Sequence, residues 1–239
     1  MCGFIFSNNK KFKKKHFLKA GKFIEQRGPD QKKYLETSFF KSFHTRLKIQ
    51  DLNSKFSNLP MCDKQRRFFL FFNGEIYNFK KLQIDLISKN VEINSSGDSE
   101  ILFKYLIKFG IKKTLKEING MFAFIFFDSK KNKLIAARDE FGQKPLYYHR
   151  NTDGLTISSN IQSIKNLANL KEINYQSLKM YLSTQSSLIL PKQTMYKEIF
   201  SLEAGQYLEF EKNKIKIIKY FKPLKYFNNK QFNKNKKKN

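Results

Sequence analysis

The sequence predicts an α+β fold in which mainly antiparallel sheets are covered by helices. Short aromatic and apolar runs that are typical of strands recur along the chain, for example at 68–72 and 120–128. Segments with helical spacing of apolar residues, such as 99–109, lie between them, and few strand–helix–strand repeats occur. The length of 239 residues suits one large domain, or one domain with a tail, that buries a substantial core.

The chain opens with a predicted strand and a predicted helix. The apolar run at 3–6 predicts the strand, and the lysine-rich segment 11–26 predicts a helix with one buried face. The sequence RGPD at 27–30 ends this helix in a Gly-Pro turn and leaves an arginine and an aspartate on a rigid corner. A further strand that runs into a loop is predicted at 39–50.

The compact aromatic run at 68–72 predicts a strand that is buried on both faces. This strand is expected to end at Asn73-Gly74, because the dipeptide readily supplies the positive φ of a turn. On local evidence alone, an ordinary hairpin turn is the favoured interpretation of these two residues.

Helices are predicted at 78–89 and 99–109. Gly97-Asp98-Ser99, at the start of the second helix, superficially resembles a pyrophosphate-binding loop. It lacks the second glycine and follows no buried strand, and Asp98 and Ser99 serve equally well as helix caps.

The later part of the chain continues the mixed pattern, and residues 51–66 before it are polar and irregular. The predictions are strands at 120–128, 133–139 and 156–159, a short helix at 178–183, and two strands within 205–221. From about residue 221 the chain is rich in Lys and Asn, and this end is predicted to be disordered.

The composition is strongly basic. The formal charge is +27, which ordinarily favours nucleic acid or an anionic membrane as a partner. The lysines are spread along the whole chain among many asparagines, a bias that an AT-rich coding sequence also produces. Nucleic acid is therefore not the expected partner, although a basic nucleic-acid-binding scaffold without activity stays an alternative.

Cysteine and histidine usage indicates neither a disulfide framework nor a metal site. The two cysteines, Cys2 and Cys62, and the three histidines show no metal-ligand spacing. The N-terminus has its apolar residues before its basic ones, which is the reverse of a secretory signal. No stretch approaches the roughly 18 apolar residues of a transmembrane helix. We therefore expect no membrane association and a cytoplasmic location.

Cys2 is the candidate nucleophile. Removal of Met1 would give it a thiol and a free α-amine on one carbon. An α-amine with a pKa of about 7.7–8.0 accepts a proton near neutral pH, whereas a thiol with a pKa of about 8.5 needs a nearby base. One residue would then supply both nucleophile and base. The alternative is that Cys2 is a small buried hydrophobe at the start of a strand.

Taken together, the motifs resemble the class II glutamine amidotransferase domain, the N-terminal half of glutamine-dependent asparagine synthetases. They occur in the order of that family with its approximate spacing, over about the first 210 residues. The matching segments are MCGFIF at 1–6, RGPD at 27–30, FHTRLKIQD at 43–51, FFNGEIYN at 71–78, SGDSE at 96–100, NGMFAFIFFD at 119–128, ARDEFGQKPLYY at 137–148 and LEAGQYL at 202–208.

The resemblance implies an N-terminal nucleophile hydrolase fold, a four-layer αββα sandwich of antiparallel sheets. It also implies catalytic roles. Cys2 would be the nucleophile with its own α-amine as base, and the Asn73 amide and the Gly74 N–H would form the oxyanion hole. Removal of one oxyanion donor typically lowers the rate by ~10²–10³.

Substrate-binding roles follow from the same resemblance. Arg46 would hold the α-carboxylate of L-glutamine, for which a planar guanidinium is well suited. Glu75 and Asp98 would hold its α-ammonium group. Arg27 is expected to brace the Cys2 strand rather than to touch substrate.

The implied reaction converts glutamine to glutamate and ammonia through a γ-glutamyl thioester on cysteine, without a cofactor. In the family, a second domain uses ATP and Mg to activate aspartate, which ammonia converts to asparagine. The expected partner is therefore an ATP-dependent synthetase domain or subunit that accepts ammonia. A glutaminase serving another acceptor, a phosphosugar or phosphoribosyl pyrophosphate, is the alternative.

The resemblance predicts a glutaminase domain at 1–208 and a linker with a Lys/Asn-rich tail at 209–239. The synthetase domain, with its pyrophosphatase loop, is expected to be absent from this sequence. A departure from the family pattern occurs at Gln26, which stands where a histidine usually precedes Arg-Gly-Pro-Asp. Because glutamine can also donate and accept hydrogen bonds, a modest effect is expected.

Overall fold

The N-terminal strand and the aromatic run at 68–72 belong to different sheets, and the fold packs them against each other. The computed structural model describes residues 2–49, 57–184 and 191–223. Its helices are α1 (Lys14–Gly21), α2 (Phe79–Ile87), α3 (Asp98–Glu117), α4 (Ile161–Ala168) and α5 (Tyr175–Thr184). Its strands are β1 (Gly3–Ser7), β2 (Gln31–Glu36), β3 (Lys41–Arg46), β4 (Met61–Cys62), β5 (Phe68–Ile76), β6 (Gly120–Asp128), β7 (Lys133–Arg138), β8 (Tyr147–Asn151), β9 (Gly154–Ser158), β10 (Phe200–Ser201), β11 (Gln206–Glu211) and β12 (Lys214–Lys219).

The described strands form two six-stranded sheets. The first sheet has the order β10-β8-β9-β1-β3-β2, and the second has the order β12-β11-β7-β6-β5-β4. Each pair of neighbouring strands is antiparallel. In the first sheet β1 lies between β3 and β9, and in the second sheet β5 lies between β6 and the short β4.

The alternation of side chains along β1 divides the core into layers. Phe4 and Phe6 face the second sheet and pack in the cluster between the sheets, whereas Ile5 packs outward in the cluster of Phe17 on α1 and Leu167 on α4. Because successive strand residues point to opposite faces, the strand covers a helix layer on one side and a sheet on the other.

The second sheet repeats this arrangement. Phe69 and Phe71 of β5 face the first sheet, and Leu70 and Phe72 pack in the cluster that contains the apolar residues of α2 and α3. The order of layers is therefore helix, sheet, sheet, helix. This confirms the predicted α+β class, the αββα sandwich of antiparallel sheets, and the burial of the aromatic run on both faces.

The predicted turn at Asn73-Gly74 was wrong. β5 continues through both residues to Ile76, and its pairing with β6 extends to Gly120. The Asp98 carboxylate accepts the Ile76 N–H at 2.8 Å and holds the extension in place. Pairing with a long neighbouring strand outweighs the local turn preference of the dipeptide.

Other boundaries differ from the predictions because non-local pairing and packing define them. The helix expected at 11–26 is shorter, and a 3₁₀ turn at Glu25–Arg27 follows it. Neither β2 nor α4 was predicted. The helix predicted at 99–109 forms the first part of α3. Gly110, with a φ of 72°, interrupts the helical backbone, and α3 continues beyond it to Glu117. The cap position is Gly97, and the Asp98 carboxylate also accepts the Ile76 N–H of β5.

The C-terminal part of the fold extends past the predicted domain boundary. Residue 208 lies within β11, and β12 pairs with β11 along its length, from Lys214 to Lys219. The predicted disordered end falls, from residue 224 onward, outside the described residues, as do residues 50–56 of the irregular segment. Within the described ranges, the helices are too short or too polar to span a membrane.

One polar side chain, His44 of β3, crosses the space between the sheets. It is 1% exposed and lies opposite Phe4 of β1, with the two ring centroids 6.3 Å apart. Its Nε2 lies 3.3 Å from the Phe72 carbonyl oxygen in the second sheet. Burial lowers the pKa of His44 from its ordinary value of 6.5 to about 3.

The lowered pKa predicts a specific acid sensitivity of the fold. The pKa of His44 is about 6.5 in the unfolded chain and about 3 in the folded chain. Between these two pH values the unfolded chain therefore binds up to one more proton than the folded chain. The stability contributed by the neutral ring is complete above pH 6.5 and falls towards pH 3, by at most about 1.4 kcal/mol per pH unit.

Urea unfolding of the wild type and of His44→Gln at pH 7.5 and pH 5 measures this effect. Other groups titrate in both proteins, so the difference isolates the imidazole. The free energy of unfolding should fall less on acidification in H44Q than in the wild type. Equal losses in the two proteins would contradict the assignment.

Candidate active site

Cys2 lies directly before β1 at one end of the space between the sheets. The alternation that directs Phe4 and Phe6 inward also places Cys2 on the inner face. The residue is partly buried and packs against the cluster of the second sheet and α3. Its Sγ lies 3.9 Å from the Leu47 carbonyl oxygen. Burial raises the pKa of the Cys2 thiol, against a smaller lowering effect of the Arg46 charge.

The corner at 27–30 holds the backbone at Cys2. The Nε of Arg27 donates to the Cys2 carbonyl oxygen at 3.2 Å. At Gly3 a Cβ would lie 2.9 Å from the Ile24 Cβ and 3.0 Å from the Thr45 Oγ1, so the strand can pack this closely against both residues only without a side chain there. The main chain that follows the Cys2 side chain is therefore fixed.

The same corner also fixes the end of β3. A Cβ at Gly28 would lie 2.5 Å from the Arg46 backbone nitrogen. Asp30 donates its N–H to the Arg46 carbonyl at 3.1 Å and accepts the Lys48 N–H through its carboxylate at 2.7 Å. Arg46 is 4% exposed, and its Nη1 donates to Asn58 Oδ1 at 2.8 Å. A guanidinium is thus held next to the thiol.

Asn73 carries an unusual polar group on the inner face of the second sheet. It is fully buried, and neither Oδ1 nor Nδ2 of its amide has a hydrogen-bond partner among the described residues. An unsatisfied buried polar group typically costs ~1–3 kcal/mol. A ligand that brings an oxygen to Nδ2 would recover that free energy.

Gly74 presents its N–H at the edge of β5 that faces away from β6. Its partner Phe122 uses its own backbone groups elsewhere, since its N–H donates to Asp139 Oδ2 at 3.2 Å and its carbonyl accepts the Asp139 N–H at 2.8 Å. Gly74 and Phe122 therefore form a non-hydrogen-bonded pair, in which the backbone groups point outward. A Cβ at Gly74 would lie 2.3 Å from the Met121 carbonyl oxygen.

Two carboxylates lie near Ile76: Glu75 directly precedes it in β5, and Asp98 accepts its N–H. Glu75 is partly buried, and its charge acts on both Cys2 and Lys144. Asp98 is 4% exposed, and burial raises its pKa, while the hydrogen bond from the Ile76 N–H partly offsets this effect. The site therefore contains negative charge as well as the Arg46 cation.

Lys144 and Asp139 were not among the predicted site residues. Lys144 is 6% exposed, and burial lowers its pKa, with a further lowering by the Arg27 charge. Asp139 is fully buried and accepts four backbone N–H groups through its carboxylate, those of Phe122, Phe141, Gln143 and Lys144. The sequence signal was the presence of Asp139 and Lys144 within ARDEFGQKP, at and just after the end of the strand predicted at 133–139.

The structure brings the predicted residues together. Cys2 interacts electrostatically with Arg27, Arg46 and Glu75. Asn73 and Gly74 directly precede Glu75 on β5. Asp98 joins them through its bond to Ile76. Among the described residues, no cluster of His, Cys, Asp and Glu is suited to hold a metal ion.

This arrangement suits one kind of chemistry. It combines a thiol, two N–H donors that are free to stabilise negative charge on an oxygen, a buried guanidinium and two carboxylates. Attack of a thiol on a carboxamide develops such a charge. The fold and the site are therefore suited to hydrolysis of an amide by a cysteine.

The chain belongs to the glutamine amidotransferase domain family, whose sequence model matches residues 1–221. The match continues past the predicted boundary at residue 208 and includes the β11–β12 hairpin. The predicted family is thereby confirmed.

Curated relatives agree with this assignment. The chain is 32% identical over 245 residues to putative asparagine synthetase [glutamine-hydrolyzing] 2 of Methanocaldococcus jannaschii, covering 92% of this chain and 46% of the relative. It is 30% identical over 191 residues to asparagine synthetase [glutamine-hydrolyzing] 1 of Bacillus subtilis, covering 77% of this chain and 30% of the relative. The chain thus spans less than half the length of these relatives.

Solved structures support the fold. The allosteric regulatory enzyme of purine biosynthesis matches with a TM-score of 0.67 and 14% identity, over 92% of this chain and 49% of its own. The glutamine phosphoribosylpyrophosphate amidotransferase of B. subtilis matches with a TM-score of 0.56 and 15% identity, over 92% and 43%. These likenesses agree with the predicted sandwich of antiparallel sheets.

The unpaired amide of Asn73 generates a prediction with opposite effects on rate and stability. Asn73→Ala removes the candidate oxyanion donor and should slow glutamine hydrolysis by ~10²–10³. It also removes two unsatisfied buried polar atoms, so the thermal midpoint should be unchanged or higher. Steady-state kinetics and thermal melting measure the two effects.

Asn78 is the matched control for this substitution. Its Nδ2 donates to the Glu117 carbonyl at 2.8 Å, and its Oδ1 accepts the Asn119 N–H at 2.9 Å. Asn78→Ala should therefore lose ~1–3 kcal/mol of stability while keeping the hydrolysis rate. A large loss of stability in N73A, or an unchanged rate, would refute the interpretation of Asn73.

Proposed function

We propose that this chain is the glutaminase domain of an asparagine-synthetase-like enzyme and that Cys2 hydrolyses L-glutamine to glutamate and ammonia. The observation that carries the proposal is the fully buried Asn73 amide, without a partner among the described residues, next to the outward N–H of Gly74. Such donors are expected where an oxyanion forms close to a nucleophile. The names of the relatives support the asparagine branch.

The first half of the reaction forms the thioester. Removal of Met1 exposes the α-amine of Cys2, which takes the thiol proton as the sulfur attacks the side-chain amide carbon of glutamine. The carbonyl π electrons move to oxygen, and the Asn73 Nδ2–H and the Gly74 N–H stabilise the charge. Collapse of this intermediate breaks the C–N bond, and the α-ammonium group returns its proton to the leaving ammonia.

The second half releases glutamate. The neutral α-amine takes a proton from water, which attacks the thioester carbon, and the same two donors stabilise the second oxyanion. Collapse breaks the C–S bond and gives glutamate, and the thiolate recovers the proton. Because burial raises the pKa of the Cys2 thiol, the thiol stays protonated near neutral pH until a base is in position.

The charged groups around Cys2 suit a zwitterionic substrate. The buried Arg46 would bind the α-carboxylate of glutamine, and Glu75 and Asp98 would bind the α-ammonium group. A cation next to Asp98 would lower the pKa that burial has raised and would favour the charged carboxylate. Substrate binding would therefore complete the ion pairing of the site.

Arg27 would act on the nucleophile through the main chain. Its bond to the Cys2 carbonyl holds the strand end rather than the thiol, so a bracing role suits it better than substrate contact. The preceding residue, Gln26, is exposed, which supports a modest effect of the replaced histidine.

The acceptor of ammonia would bind to a domain or subunit other than the one described. The relatives are named asparagine synthetases, and this chain covers under half of each. We infer that an ATP-dependent synthetase domain or subunit, using ATP and Mg, accepts the ammonia and amidates aspartate, while the glutaminase half-reaction needs no cofactor. A cytoplasmic location and the absence of nucleic-acid binding stay predictions.

The test is glutamate release from L-glutamine by the purified chain, with mass spectrometry to show that Met1 is removed. Wild type should release glutamate and Cys2→Ala should release none. Cys62→Ser is the control, since Cys62 is exposed and lies on β4, the edge strand of the second sheet. Addition of the synthetase partner with ATP, Mg and aspartate should yield asparagine.

Three outcomes would count against the proposal. Glutamate release by C2A would exclude the nucleophile. Retention of Met1 in an active chain would exclude the α-amine as base. Amidation of a phosphosugar, or ammonia transfer to phosphoribosyl pyrophosphate instead of aspartate, would assign the domain to another acceptor.

A further inference from the structure

His44 connects the strand pair that carries Cys2 to the strand that carries Asn73 and Gly74. Its ring stacks on Phe4, two residues after Cys2, and its Nε2 lies 3.3 Å from the Phe72 carbonyl oxygen, one residue before Asn73. A carbonyl oxygen can only accept, so Nε2 carries the proton and donates it. One side chain therefore spans the gap between the two halves of the site.

The bond to Phe72 acts on the edge of β5 that bears the oxyanion donor. Antiparallel pairing alternates, so the outward groups of Phe72, Gly74 and Ile76 share one edge of the strand. The Ile76 N–H on this edge is held by Asp98 at 2.8 Å. His44 and Asp98 thus fix the edge on both sides of Gly74, and only the His44 bond of these two comes from the opposite sheet.

The imidazole is a permanent donor. Its Nδ1 is buried and has no hydrogen-bond partner among the described residues, so a proton there would be an unsatisfied buried charge. Burial and, to a smaller extent, the charges of Arg46 and Lys33 lower the pKa of His44 to about 3, although the bond to Phe72 acts in the opposite direction. The ring therefore stays neutral, with its proton on Nε2, near neutral pH.

We propose that His44 is a positioning residue for the oxyanion hole, whose bond to the Phe72 carbonyl sets the separation of Asn73 and Gly74 from Cys2. The inference rests on the proposed function, because it assumes that these two residues stabilise an oxyanion. His44 itself touches no reacting atom.

A role through the oxyanion hole has a kinetic signature. The oxyanion exists in the transition state and not in bound glutamine, so a misplaced donor lowers kcat and leaves KM unchanged. A displacement of about 1 Å can reduce a rate by about 10²-fold. The ammonium- and carboxylate-binding residues are untouched, which keeps ground-state binding intact.

Two substitutions separate the donor from the ring. His44→Gln places an amide N–H close to the position of Nε2, and His44→Asn is too short to reach Phe72. We expect H44N to lower kcat by about 10- to 100-fold with KM within about threefold of wild type, and H44Q to restore most of the loss. His44→Met fills the same apolar space without a donor and should reproduce H44N should that variant fail to fold.

His149 provides the matched control. It is 3% exposed, and its Nδ1 lies 2.9 Å from the Glu198 carbonyl oxygen, whereas its Nε2 has no partner among the described residues. It lies on β8, which β9 separates from β1. His149→Asn and His149→Gln open a similarly buried histidine site and should keep the wild-type kcat.

A second readout reports the oxyanion directly. The Cys2 thiol adds to the carbonyl of glutamate γ-semialdehyde, and there is no leaving group. The thiol proton moves to the carbonyl oxygen, or it stays on the α-amine while the oxygen remains an oxyanion. Its inhibition constant should weaken in H44N by about the same factor as kcat, while inhibition by product glutamate stays unchanged.

The outcomes separate the two proposals. Wild-type kcat in both H44N and H44M, or an equal loss in H149N, would overturn the role of His44 and leave the glutaminase intact. An H44N defect confined to KM would also overturn it, because ground-state binding would then be affected. No glutamate from the processed wild type would overturn the proposed function, and the role of His44 with it.

Discussion

The extension of β5 beyond its aromatic run is the constraint on which the site depends. Antiparallel pairing with β6 keeps residues 73–76 extended, so side chains alternate between faces while backbone groups alternate between edges. Asn73 therefore directs its side chain towards the first sheet, and Gly74 directs its N–H to the open edge. A turn at these two residues would separate the donors, whereas a strand brings both to the end of the sandwich where Cys2 lies.

Aromatic packing supplies the fixed frame for these donors. Four rings pack against one another between the sheets in tilted and edge-to-face pairs, with centroids 4.9–6.0 Å apart; they are Phe6, Phe40, Phe71 and Phe127. Large rigid rings in contact resist changes in the sheet separation. The site lies at the end of this aromatic cluster. The unsatisfied Asn73 amide and the buried His44 are tolerated there because the aromatic core compensates for their cost in stability.

Local patterns predicted the parts of the fold that depend on composition. The strands at 3–6 and 120–128 and the helix at 99–109 follow from apolar runs and periodicity. The motif order identified the family and indicated the candidate site residues. The course of β5 through Asn73-Gly74 could not be predicted locally, because β6, fifty residues later, overrides a strong turn dipeptide. Nor could the partners of His44, Lys144 and Asp139, whose environments arise from non-local packing.

The contacts of Cys2 have a consequence for how such a domain can change over time. Its main chain is anchored by Arg27 and by the tight approach at Gly3, whereas the hydrogen bond of its sulfur to the Leu47 carbonyl is long, at 3.9 Å. Folding therefore places little selective pressure on the thiol itself. A lineage could exchange residue 2 for another small side chain and keep an intact sandwich, so that a scaffold of this kind persists after its chemistry is lost and only selection on ammonia supply preserves the cysteine.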